Sequence, residues 1–147
     1  MKNILLTTAL LITAGISSFA ENNNNQKMLK ELSAALRKSE QIAWCNKAEF
    51  RQATFKYNDK VVNAFYTLDD NELIGYGIYL SKEEVPEMIK TAIKNKYGGK
   101  EYSNIMMLID SAGLINYYIE TNINKTNVVV RITSQGKASV YKKLQYN

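Results

Sequence analysis

Hydrophobic positions along the chain follow two rhythms. Between Gln26 and Gln41, Met28, Leu29, Leu32, Ala35 and Leu36 recur at helical spacing with charges on the other side, which predicts an amphipathic helix. Four shorter runs follow, at Ile42–Cys45, Phe50–Tyr57, Lys60–Thr67 and Glu72–Leu80. Within them Ala53, Phe55 and Tyr57 alternate with polar residues, as do Ile74, Tyr76, Ile78 and Leu80. A period of two marks a half-buried strand, because successive side chains leave a strand on opposite faces. The connections Tyr57-Asn58-Asp59-Lys60 and Leu68–Glu72 are rich in residues that tolerate hairpin geometry, so the runs are expected to pair as antiparallel neighbours.

The rhythm then changes. Ser81 with Glu84 forms a capping-box pair, Pro86 suits only a first helical turn, and Val85, Met88, Ile89, Ala92, Ile93 and Tyr97 make one apolar stripe that Gly98-Gly99 ends. This predicts a second helix whose stripe needs a sheet to cover it. Four more runs, Tyr102–Ile109, Leu114–Thr121, Asn127–Thr133 and Ala138–Leu144, come after it, with turn residues at Asp110–Gly113, Asn122–Thr126 and Ser134–Lys137. The order helix, four strands, helix, four strands reads as a duplication. The expected fold is α+β: two tandem units over about residues 27–80 and 81–147, forming one antiparallel sheet or two abutting ones, with both helices on one face and the other face open.

Alternation also assigns side chains to faces. If Val62, Ala64, Tyr66, Ile74, Tyr76, Ile78, Val128, Val130 and Ile132 point at the helices, the open face carries Asn63, Phe65, Thr67, Gly75, Gly77, Tyr79, Val129, Arg131 and Thr133, joined by Tyr118, Tyr141 and Lys143. That composition is aromatic and basic, as in a contact surface. The preference of strands for Tyr and Thr produces the same list on an ordinary solvated sheet. A slip of one residue in any hairpin exchanges the faces. The candidate partner-binding residues are Phe65, Tyr79, Tyr118, Arg131, Tyr141 and Lys143, with the hairpin Asp69, Asp70, Asn71 and Glu72 as a second candidate contact.

The N-terminus has a separate meaning. Lys2 precedes an uncharged, mostly apolar run of sixteen residues from Ile4 to Phe19, with small residues at Ser18 and Ala20. This is the build of a secretory signal peptide over residues 1–20, cut near Ala20. A membrane anchor is the other reading of such a run, and it is short of the roughly 20 residues that a span needs. Residues 21–26, with four consecutive Asn, cannot bury anything and read as a disordered tether, which leaves 27–147 as the folded domain. The expected location is the periplasm or the exterior, without a stable membrane anchor after cleavage.

Charge and chemistry narrow the function. The formal net charge is +5, and no acidic residue follows Glu120, whereas Lys125, Arg131, Lys137, Lys142 and Lys143 do. For an exported protein a basic end suits an acidic protein, a glycan or an anionic lipid headgroup better than nucleic acid, or simply keeps the surface solvated. The single Cys45 cannot pair within the chain, and beside Trp44 it reads as a small buried hydrophobe or, alternatively, as a reactive or dimer-forming thiol. The chain has no His, which removes the commonest nucleophilic triads and most zinc sites. Asp69, Asp70 and Glu72 are too few, on too short a loop, to wrap a cation. No enzyme activity, cofactor or metal is expected.

One long stretch, Asn63–Gly99, combines a strand ending in an aromatic pair, an acidic hairpin, a Leu-Ile strand, Val-Pro and an amphipathic helix ending Lys-Tyr. With Trp44 upstream of an aromatic-rich strand, it resembles the PepSY-like family of β-lactamase-inhibitor-like proteins over about Leu32 to Lys143. Asp70-Asn71 stands where Asp-Gly is usual, and Gly98-Gly99 where Pro is common. The resemblance implies an exported helix-on-sheet module, with inhibition of a β-lactamase or peptidase suggested by analogy of fold. The expectation is an exported, non-enzymatic binding module for a protein or peptide of the cell envelope, an inhibitor or accessory factor of an envelope hydrolase. The alternative is an envelope domain that binds or senses a glycan, an anionic lipid or a small molecule.

Overall fold

The computed structural model describes residues 23–99 and 101–144. The expected leader, its cleavage site and residues 145–147 lie outside the described residues. A helix, α1, covers residues 23–38, followed by strands β1 (Ala43–Asn46), β2 (Arg51–Tyr57), β3 (Lys60–Tyr66) and β4 (Leu73–Leu80). A 3-10 turn at Lys82–Glu84 leads to α2 (Glu87–Tyr97), then to β5 (Tyr102–Asp110), β6 (Ile115–Ile123), β7 (Thr126–Thr133) and β8 (Ala138–Lys143).

The tandem-unit architecture is corrected. All eight strands form one sheet in sequence order, β1 to β8, and every neighbouring pair is antiparallel. At the expected boundary β4 pairs β5 from Gly75↔Asp110 to Leu80↔Ile105, so the hydrogen-bonded ladder runs straight through. The segment carrying α2 is an excursion from one continuous sheet. The core is likewise joined: α1 buries Leu29, Leu32 and Leu36 against Ala53, Phe55, Val62, Ala64, Tyr76, Ile78 and Ile109. Val85 and the α2 residues Ile89 and Ile93 pack with Ile105, Tyr117, Ile119, Val128, Val130 and Ile132. Leu80, Met107 and Ile115 touch both groups and close the gap between them. One row of register partners, Val62, Ile78, Met107, Tyr117, Ile132 and Ala138, crosses both groups, which puts α1 and α2 on the same face.

The helix starts also differ from the sequence reading. Residues 23–26, expected as tether, are the first described turn of α1. Asn25 Nδ2 donates to the Gly113 carbonyl at 2.9 Å and Gln26 Nε2 to that of Ala112 at 2.9 Å, so polar side chains that bury nothing still fasten the helix to the β5–β6 turn. Ser81 and Glu84 cap the 3-10 turn, with the Ser81 amide donating to Glu84 Oε2 at 2.9 Å. Pro86 disfavours helical backbone at the residue before it, and Val85 is accordingly extended at φ −68°, ψ 127°. Thus α2 begins only at Glu87, and Met88, expected on the apolar stripe, is exposed. At its other end Gly98 sits at φ 71° and donates its N–H to the Lys94 carbonyl, a left-handed cap that glycine adopts without strain.

Candidate open-face binding site

The face opposite the helices has no second layer among the described residues. Its middle is a row of direct cross-strand partners, Tyr79, Met106, Tyr118, Arg131 and Ser139, contributed by five successive strands. Tyr79 is 52% exposed and Tyr141 60%, which is high for aromatic residues on a sheet. The Tyr141 ring meets Tyr118 edge to face, with centroids 5.1 Å apart and planes at 79°. This geometry suits the ring quadrupoles and fixes both side chains at little entropic cost. Burial first, and the neighbouring Tyr141 second, push the Tyr118 hydroxyl above the usual tyrosine range, while Arg131 beside it pulls the other way.

Phe65 belongs to the same face two rows away, where it pairs with Gly75 and meets Phe50 in a T-shaped contact at 5.2 Å. Its ring shares the space above Gly77 with Met106: a Cβ placed on Gly77 would lie 2.8 Å from Phe65 Cε2 and 2.8 Å from Met106 Sδ. The glycine therefore lets Phe65 and Met106 lie flat, joining the Phe50–Phe65 pair to the tyrosine row. Toward the β1 side the face turns polar. Asn63, 5% exposed, accepts at Oδ1 from Thr54 Oγ1 at 2.8 Å and from Gln52 Nε2 at 3.0 Å. Asp110 accepts from the amides of Ala112 and Leu114, and Glu120 from Asn104 Nδ2, so both acids beside the row are already engaged.

Five of the six expected face residues, Phe65, Tyr79, Tyr118, Arg131 and Tyr141, come together in this way, and Lys143 does not. A β-bulge between Val129 and Val130 inserts Tyr141, so Lys142 opposes Val129 on the open face and Lys143 opposes the buried Val128 on the helix side. A second bulge, at Phe65/Tyr66, sets Leu73 rather than Ile74 against Tyr66. Ile74, expected inward, is 38% exposed as a result. Met106, Phe50 and Lys142 were not among the candidates; Met106 lies in an unbroken Ile-Met-Met-Leu-Ile run where alternation gives no face.

The second candidate contact stands apart. Asp69, Asp70, Asn71 and Glu72 are all exposed on the β3–β4 connection, which Thr67 closes: its amide donates to the Glu72 carbonyl at 2.9 Å, and its Oγ1 accepts from the Glu72 amide at 2.9 Å. This loop adjoins the start of β4, whereas Tyr79 is near its end, roughly 20 Å away at about 3.3 Å per residue. The loop and the tyrosine row are two surfaces. Among the described residues no three His, Cys, Asp or Glu side chains gather as metal ligands, and no helix is long and apolar enough to cross a membrane. Cys45, read as buried, is exposed on β1 because that strand forms the sheet edge and α1 does not cover it.

No family model matches the chain, and no curated protein matches its sequence. Its fold does match solved structures. A BLIP-like protein from Bacteroides fragilis superposes with a TM-score of 0.63 at 12% identity, covering 80% of this chain and 87% of that one. A DUF2874 family protein from Bacteroides uniformis gives 0.60 at 16% identity, covering 75% and 87%. A protein described as periplasmic from Bacteroides eggerthii gives 0.60 at 16% identity, covering 78% and 83%. At such identities the likeness is one of fold. The BLIP-like neighbour meets the sequence resemblance at that level, and no family match places the chain among PepSY-like proteins.

Proposed function

We propose that the chain is an exported, non-enzymatic binding module that holds a protein partner on the open face of its sheet. The observation that carries this reading is the uncovered row Tyr79–Met106–Tyr118–Arg131 with Tyr141 packed on it. Aromatic residues and arginine supply most of the energy at protein interfaces, and rings already locked against each other lose little freedom on binding. A sheet face meant only for water has no use for a glycine that lets Phe65 and Met106 spread as a flat apolar floor.

The periplasmic description of one structural neighbour supports a location in the envelope, in line with the leader expected over residues 1–20. The BLIP-like neighbour, together with the resemblance to PepSY-like proteins, supports an inhibitor or accessory factor of an envelope hydrolase. The experiment is parallel capture from envelope extract with the mature protein and with a variant carrying Tyr79→Ala, Tyr118→Ala and Arg131→Ala. A protein retained by the first and lost by the second supports the reading. An identical set on both baits, with the variant folded, counts against it.

A further inference from the structure

We infer that β1 is a strand-addition edge that accepts an extended, carboxylate-bearing segment of another protein as a ninth strand. The two edges of the sheet are unlike. Edge strands that must stay unpaired are usually blunted by lysines, bulges or proline. β8 has such guards, with Lys142 and Lys143 inside it and the Val129/Val130 bulge beneath it. β1 is short, at four residues, but carries no lysine, bulge or proline: Ala43, Trp44, Cys45 and Asn46 are uncharged, all exposed, and in unbroken register with β2. Every second residue of such a strand offers its N–H and C=O outward, the template that a peptide completes in strand addition.

A recognition platform stands beside that edge. Arg51 stacks over the Trp44 indole with its guanidinium carbon 4.3 Å from the ring centroid, and the Tyr66 ring lies 5.8 Å from Trp44. Trp44 is nonetheless 47% exposed, a large apolar face left bare at a sheet edge. Stacking holds the guanidinium in place without using its N–H donors, and no carboxylate among the described residues forms an ion pair with it. Its complement is a carboxylate, which a planar fork can bind through two hydrogen bonds. β1 covers only Arg51–Thr54 of β2, so beyond Ala43 the edge steps back to a cleft lined by Ile42, Phe55 and Val61 with Glu40, Gln41, Thr54 and Lys56 around them, with room for a side chain of the guest.

This site is independent of the tyrosine row and can stand or fall without it. Trp44 is the only tryptophan in the chain, so its emission reports on this edge alone. The probes are a short acetylated and amidated peptide alternating threonine and valine around a central glutamate, and a twin with lysine at that place. The expected result is a saturable change in Trp44 emission with the glutamate peptide, with affinity about tenfold above that of the twin, as one charge-assisted contact provides. Arg51→Gln should remove the difference between the peptides, and the amides of β1 should gain protection from hydrogen exchange when the peptide is bound. The inference is overturned by emission that ignores both peptides, or by equal affinity for the two. A peptide-free change that grows with protein concentration, together with a dimer in sedimentation, also overturns it by assigning the edge to a second copy.

Discussion

Tyr118 and Tyr141 meet edge to face across the β7 strand, 5.1 Å between ring centroids, because the bulge at Val129/Val130 adds Tyr141 to the open face. The contact has a titration consequence. Burial and Tyr141 raise the Tyr118 pKa while Arg131 lowers it, so Arg131→Ala should raise it further and Tyr141→Ala should bring it back toward the ordinary value. A hydroxyl whose folded pKa is raised contributes stability that is present below the unfolded pKa and lost as pH rises through the folded one. Tyr57, Tyr66 and Tyr97 are also raised, so alkaline titration followed by ultraviolet absorbance, with Tyr118→Phe to identify the signal, should show that the Tyr118 component alone among the late tyrosines responds to both changes.

The helix contact predicts a stability split along α2. Ile89 is 0% exposed and Ile93 2%, so Ile89→Ala or Ile93→Ala should each cost about 2–4 kcal/mol in denaturant melts. Lys94→Ala, at an exposed position of the same helix, should stay within about 0.5 kcal/mol. Equal losses at the two kinds of position would mean that α2 does not pack through this stripe.

Two glycines of β4 should behave differently. A Cβ on Gly75 would stand 2.4 Å from the Ile109 carbonyl oxygen, which is backbone of the next strand, so Gly75→Ala has to distort the ladder. On Gly77 the clash is with the side chains of Phe65 and Met106, which can swing away. Gly75→Ala is therefore expected to lower stability by about 1–3 kcal/mol or more, and Gly77→Ala by less. Gly77→Ala should instead disturb the open face, visible as shifted side-chain resonances of Phe65 and Met106.

Local physics made much of this molecule readable. Alternation located the strands, because a half-buried strand imposes a period of two, and Asn58 and Asp59 at positive φ confirm the hairpin that their side chains announced. What failed depends on partners far away in sequence. Nothing in residues 23–26 shows that Asn25 and Gln26 will find carbonyls in the β5–β6 turn. Nothing in the repeat of helix and strands shows that β4 and β5 pair, and that pairing removes the boundary between the two expected units and decides for one continuous sheet over two abutting ones. Bulges leave composition unchanged and still moved Ile74 and Lys143 to the other face. The Trp44–Arg51–Tyr66 platform joins three strands, and its members are too separated in sequence to suggest one another.

The open face is tested most directly by affinity. Once a partner has been captured, its dissociation constant for the mature protein and for the variant with Tyr79→Ala, Tyr118→Ala and Arg131→Ala should be compared by calorimetry, with the melting midpoint of each. If the row is the contact surface, interface side chains worth about 2 kcal/mol each at hot spots should weaken binding by roughly a hundredfold or more. The melting midpoint should barely move, since all three side chains project away from the helices. Affinity within about twofold of the parent, in a variant that melts normally, would contradict the account.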